Sequence, residues 1–291
     1  MRGGTTLTFK LDPKMALGYV QLRVQSLEKQ KEFYQMLGFH IIKESTTEVI
    51  FGAGSTEPIL ILTTTQDVVP RPTRTTGLFH FAILVPSRED LAYVIGNLLE
   101  IGAPISGAGD HLYSEAFYLS DPEGNGIEIY RDLPRSEWVI EPNGQVNTAT
   151  EPIDFKGIMA LYKSERTWTG FPEGTILGHM HLNVTNLDDA TSRFYLEALG
   201  LDLMTNFMDS AFFMSAGGYH HHIATNIWQG VGAPLPPENA TGLIGYSLKL
   251  SSEDEFYKLK ESLQTYNVSF SENEGKIIVK DLNKSDMIFY V

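Results

Sequence analysis

Two histidines and a glutamate stand at recurring places along the chain, and side chains of these types together could hold a divalent metal. His80 is the third residue of LFHFAILV, His179 the third residue of LGHMHLNV, and Glu128 lies in GNGIEIY. Two imidazoles and one carboxylate that leave coordination positions open suit non-haem Fe(II) or a related metal, with Mn, Ni, Co and Zn as alternatives. A single histidine on an apolar strand is ordinarily a satisfied core residue. The same residue at the same place in two repeats, with a carboxylate in a partner strand, favours ligation. A buried glutamate without a counter-charge is costly, and a shared cation removes that cost. His181 shares the strand face of His179 and is its rival for the ligand position should the register slip by two.

The elements that must position these groups recur four times. Strand-like phrases begin at LGYVQLRV (17–24), LFHFAILV (78–85), LGHMHLNV (177–184) and LIGYSLKL (243–250), each with apolar alternation. A capped amphipathic helix follows each one. Ser87 with Asp90, Ser251 with Asp254, and Asn186 with Asp189 read as helix starts, and Ser26 opens the first helix. Gly38, Gly102, Gly200 and Asn267 read as helix stops, residue types that tolerate the left-handed conformation. Further period-two stretches come after each stop, such as EVIFGA and GIEIYRD. The expected fold is therefore α+β, built from four βαβββ modules. Module 1 spans 1–75, module 2 spans 76–133, a turn-rich connection spans 134–176, module 3 spans 177–240 and module 4 spans 241–291. The connection carries one short helix near DFKGIMALYK, and long connections of this kind often cover a site.

Superposing the four opening strands places Tyr19, His80, His179 and Gly245 at one position, so modules 1 and 4 lack the metal-competent residue there. Pairing 1 with 2 and 3 with 4 would put His80 and His179 in different domains. Pairing modules 2 and 3 brings His80, Glu128 and His179 around one cavity and leaves modules 1 and 4 as a metal-free domain.

Composition restricts the function classes. The net charge of -14 repels polyanions, so no nucleic-acid partner is expected. The chain has no cysteine, which excludes disulfides and thiolate ligands. No stretch reads as a signal peptide or a membrane span, which makes a cytoplasmic protein with no membrane partner the expectation. A homo-oligomer is left open.

On these phrases the chain resembles the vicinal oxygen chelate superfamily, which includes glyoxalases, antibiotic-resistance proteins and extradiol dioxygenases. Within it the chain is most similar to short two-domain catechol 2,3-dioxygenases, through GHMHLNV, SAGGYHHHIATNIW, GLFHFAILVP and DHLYSEAFYLSDPEGNGIEIYRDLPRSEW. AFYLSDPEGNGIE resembles the family phrase in which the ligand glutamate follows a tyrosine by ten residues. The resemblance implies Glu128 as a ligand and Tyr118 as a hydrogen-bond donor to substrate or to an oxygen intermediate. The module that carries the glutamate precedes its partner here, a permutation of the usual family order.

The run His220, His221 and His222 resembles the phrase that supplies the family's acid–base histidine, which points to His221. Strand alternation would set His221 opposite His220 and His222. Were His222 inward instead, it could be a fourth ligand, as in glyoxalases. His111 falls near the place of a second catalytic histidine, offset by about two residues. The resemblance implies an Fe(II)-dependent extradiol ring-cleaving dioxygenase whose partners are O₂ and a small aromatic substrate of catechol type. His221 would move a proton near neutral pH. The alternatives are a glyoxalase-type metal-dependent isomerase or lyase, and a non-catalytic resistance protein that binds a small molecule.

Overall fold

The computed structural model describes residues 9–291. Its elements fall into four βαβββ runs. The first is β1 (Ala16–Arg23), α1 (Leu27–Met36), β2 (His40–Glu44), β3 (Glu48–Gly52) and β4 (Leu60–Thr63). The second is β5 (Gly77–Leu84), α2 (Arg88–Glu100), β6 (Ile105–Asp110), β7 (Ser114–Ser120) and β8 (Gly126–Asp132). After a short α3 (Phe155–Met159) comes the third: β9 (Ile176–Asn183), α4 (Asp189–Ser192) continued as a π-helix over Arg193–Ala198, β10 (Asp202–Phe207), β11 (Ala211–Ser215) and β12 (Ile223–Asn226). The fourth is β13 (Gly242–Lys249), α5 (Glu253–Thr265), β14 (Phe270–Asn273), β15 (Lys276–Lys280) and β16 (Asp286–Tyr290).

Two eight-stranded sheets result, in the orders β14-β15-β16-β13-β1-β4-β3-β2 and β10-β11-β12-β9-β5-β8-β7-β6. Modules 1 and 4 share the first sheet and modules 2 and 3 the second, so the two domains pair as expected. Within each module the opening strand lies parallel to the last one, and the two modules of a sheet meet at an antiparallel seam, β1 on β13 or β5 on β9. β5 and β9 are buried on both faces, which alternation alone did not anticipate. One face packs into the continuous core through residues such as Phe81, Ile83, Met180 and Leu182, and the other faces the cavity described below.

Helix ends follow their sequence signals with small displacements. The Ser87 side chain accepts from the Asp90 backbone N–H, as capping requires. The third helix starts at Asp188 rather than Asn186, because the Asp188 carboxylate accepts from both Ala190 and Thr191. The fourth is capped by Ser252 rather than Ser251. Gly38, Gly102, Gly200 and Asn267 all have positive φ, as helix-terminating residues do. No helix among the described residues is long and apolar enough to cross a membrane.

Candidate metal centre

Strand register brings the three ligand candidates together. Across the β5–β9 seam Ala82 lies opposite His179, and across β5–β8 the same Ala82 lies opposite Glu128. His80 stands two residues before Ala82 and therefore on the same face. Alanine at the centre of this triangle leaves the space into which the three longer side chains converge. His80 Nε2 lies 3.2 Å from His179 Nε2. Glu128 Oε2 lies 3.0 Å from His80 Nε2 and 3.3 Å from His179 Nε2. All three residues are buried.

These separations fit a divalent cation. Ligand atoms held about 2.1 Å from a metal at right angles to one another sit roughly 3 Å apart. Hydrogen bonding alone explains the geometry less well, since two imidazole Nε2 atoms and one carboxylate oxygen crowd a single point with at most two protons between them. Burial opposes the charge of Glu128, but the neighbouring His179 and His80 outweigh it and hold the carboxyl well below its ordinary range. Burial pushes His179 down to about 4, against the pull of Glu128. Metal binding requires an ionised carboxylate and an unprotonated imidazole nitrogen, and Glu128 and His179 are each shifted in that direction.

The cluster opens on a cavity of about 290 Å³ whose walls include Phe79, Phe213, Trp228, Tyr113, His181 and His221. Tyr118 sits directly across the β7–β8 ladder from Glu128. Its hydroxyl is 2.5 Å from His111 Nε2, and His111 Nδ1 lies 2.9 Å from the Ala149 carbonyl. A carbonyl only accepts, so His111 donates from Nδ1 and its Nε2 accepts the Tyr118 proton. Burial, then the charge of Glu128, raises Tyr118 and keeps it a phenol. The long connection contributes Thr148, Ala149 and Thr150 to the cavity wall, so it does cover the site.

The sequence profile of the Glyoxalase/Bleomycin resistance protein/Dioxygenase superfamily matches residues 16–129. Catechol-2,3-dioxygenase of Bacillus subtilis (strain 168) is 41% identical over 268 residues, 91% of this chain and 93% of that protein. The chain belongs to this superfamily. Solved structures show the same fold at low identity. One from Bacillus subtilis subsp. subtilis str. 168 has a TM-score of 0.65 at 13% identity, covering 97% of this chain and 86% of that one. Glyoxalase I from Zea mays has a TM-score of 0.55 at 14% identity, covering 95% and 92%.

Against that superfamily background the remaining histidines separate by position. His221 lines the cavity with its ring 4.1 Å from that of His179, and burial, followed by its histidine neighbours, holds it well below its ordinary pKa. His222 does not reach the cluster. Its Nδ1 accepts from the Ala216 backbone at 3.3 Å, and the ligand atoms that converge are those of His80, Glu128 and His179. His181 faces the cavity with its Nε2 3.0 Å from the Asn226 amide, and it is not among the three residues whose ligand atoms converge. His220 is the surprise. Alternation set it opposite His221, but β12 begins only at Ile223, and outside the strand both rings turn to the same side, with Nδ1 atoms 2.8 Å apart. Asp132, 2.8 Å from His220 Nε2, is singled out by no motif in the sequence.

Proposed function

We propose that this chain is an extradiol dioxygenase that opens the ring of a catechol-type substrate next to its two hydroxyls, using O₂ and Fe(II) held by His80, His179 and Glu128. The observation that carries this reading is the three-ligand cluster facing an aromatic-walled cavity. Three ligands leave positions for two substrate oxygens and O₂. A four-ligand isomerase site would need another donor, and His222, the candidate for it in sequence, is not among the three converging residues. The relative named Catechol-2,3-dioxygenase supports the same choice.

When bound, the metal supplies Lewis acidity and a common meeting point for the two reactants. The chain's own groups do the rest. Phe79, Phe213 and Trp228 flank the space beside the ligands and hold a flat ring by apolar contact. His221 Nε2, which has no hydrogen-bond partner among the described residues, accepts a hydroxyl proton of the substrate. The Tyr118 and His111 pair holds one proton between Oη and Nε2 on the opposite wall. Proton acceptor and proton store therefore stand on two sides of the same ring.

The cavity also restricts the substrate. No lysine or arginine is among its described wall residues, and Glu128 is its one carboxylate. A ring bearing its own carboxylate would enter without a counter-charge, at the cost of desolvation. The volume suits one ring with small apolar substituents, given that a cavity of roughly 150 Å³ admits benzene. Anaerobic Fe(II) loading followed by oxygenated catechol or 4-methylcatechol should give a yellow ring-cleavage product and equimolar O₂ uptake, with protocatechuate turned over at least tenfold less efficiently. No product and no O₂ uptake with any catechol would exclude the reading.

A further inference from the structure

Behind His221 the structure holds a chain of polar groups that the metal cluster does not use. His220 is fully buried, its ring stacked at 4.3 Å on Tyr113 and flanked by Trp138 and Tyr219. Its Nε2 lies 2.8 Å from Asp132 Oδ1, and its Nδ1 lies 2.8 Å from His221 Nδ1. The other carboxylate oxygen of Asp132 accepts from the Tyr219 hydroxyl at 2.8 Å, and Tyr219 in turn meets the Tyr130 hydroxyl at 2.9 Å.

Donor and acceptor directions along this chain are determined by its far end. Ionised Asp132 only accepts, so His220 donates from Nε2. In neutral His220 that leaves Nδ1 as an acceptor. With His220 neutral, the proton in the contact between the two imidazoles belongs to His221 Nδ1, and His221 Nε2 is left bare beside the cavity that His221 lines. Had the far end been a donor, every direction would reverse and His221 would present an N–H to the substrate.

We propose that Asp132 and His220 are positioning residues that fix His221 in its Nδ1–H tautomer and so make its cavity-facing nitrogen the proton acceptor. This rests on the reading of His221 as the acid–base group. When Nε2 takes a proton from a substrate hydroxyl, His221 Nδ1–H passes its own to His220 Nδ1. The positive charge then resides on His220 against the Asp132 carboxylate, away from the metal ligands. Return along the same path restores the proton to His221 Nδ1 as Nε2 delivers the proton it holds to the product. No bond other than N–H and O–H changes, and no further reactant is needed.

The tautomer can be read without turnover. In the full-length protein, metal-free or loaded with diamagnetic Zn(II) and labelled with ¹⁵N-histidine, NMR should show His221 with Nδ1 protonated and Nε2 bare. Asp132→Asn places an amide donor against His220 Nε2 and should reverse the pattern. Its kcat should fall about 10³-fold with iron content and KM nearly unchanged, and Asp132→Glu should restore both tautomer and rate. A wild-type His221 protonated on Nε2 overturns the proposal, whether or not any variant folds. So does an unchanged tautomer in Asp132→Asn. Failure of the dioxygenase reading would appear separately, as absence of ring cleavage with the tautomer intact.

Discussion

At the scale of single residues, ligation and proton transfer are separable, because the ligand candidates hang from β5, β8 and β9 while His221 lies in the segment before β12. Glu128 belongs to β8 and closes the triangle with His80 and His179, whereas His221 lies outside that triangle and approaches only the His179 ring. Glu128→Ala should bring bound iron to background, measured by metal analysis after gel filtration, while circular dichroism stays that of the parent. His221→Ala should retain the iron and lower kcat by about 10²- to 10⁴-fold. An emptied site in His221→Ala would reverse the two assignments. His80, His179 and Glu128 were legible in sequence because two repeats carry histidine at one position and a strand's alternation fixes the side on which the glutamate falls. His220 and Asp132 were not. The segment 219–222 looks like a strand by composition but is irregular, and Asp132 ends β8 with nothing in its spacing to single it out.

At the scale of elements, modules 2 and 4 place the same turn before their last strands, with different completeness. In the turn opened by Asp121, Oδ1 accepts from the backbone of Glu123 and Asn125, and Oδ2 accepts from the Tyr34 hydroxyl of α1 and the Asn125 amide. In the turn opened by Asp281, Oδ1 accepts from the backbone of Asn283 and Ser285, but Oδ2 is buried without a partner among the described residues. The hydroxyls of Tyr195 and Tyr246, raised first by burial and close enough for Asp281 to raise both further, lie beyond normal hydrogen-bond geometry of any partner among the described residues. Burial therefore raises Asp281 to about 7, against the two backbone donors. An acid whose folded pKa lies above its unfolded value costs nothing below about pH 4. Between there and pH 7 the unfolded chain gives up a proton that the folded chain retains, so stability falls, and the full deficit persists above pH 7. Asp281→Asn keeps the acceptor oxygen and gains an amide donor for a tyrosine. It should stabilise the protein at pH 8 by on the order of 2 kcal/mol and have little effect at pH 4.5. Asp121→Asn, which sets an amide against the Tyr34 donor, should destabilise at pH 8. Urea melts of both variants at the two pH values check this, and equal effects of the two substitutions would contradict it. Sequence revealed the modules and their helix stops, but whether each turn's carboxylate finds all its partners depends on helices distant in the chain.

At the scale of the whole molecule, the sheets are joined by more than their connection. Core residues of both sheets form one continuous cluster, from Val20 and Leu22 on β1 to Met180 and Leu182 on β9. The Tyr34 hydroxyl crosses from the sheet of modules 1 and 4 to Asp121 in the other, and Asn283 donates back to the Asn183 carbonyl. A single cooperative unfolding transition should follow, since neither sheet can lose its packing without exposing the other. The metal would act on that transition through one place, the β5–β9 seam, where His80 and His179 face each other across the junction of modules 2 and 3. Metal at about a hundredfold excess over its dissociation constant contributes roughly 2.7 kcal/mol to the folded state. For a chain of this size that is a Tm higher by about 5 °C. Calorimetry with and without a chelator should show one peak displaced as a whole, and Glu128→Ala should show the same peak under both conditions. Two peaks, of which the chelator moved only one, would mean that the sheets unfold independently despite their shared core.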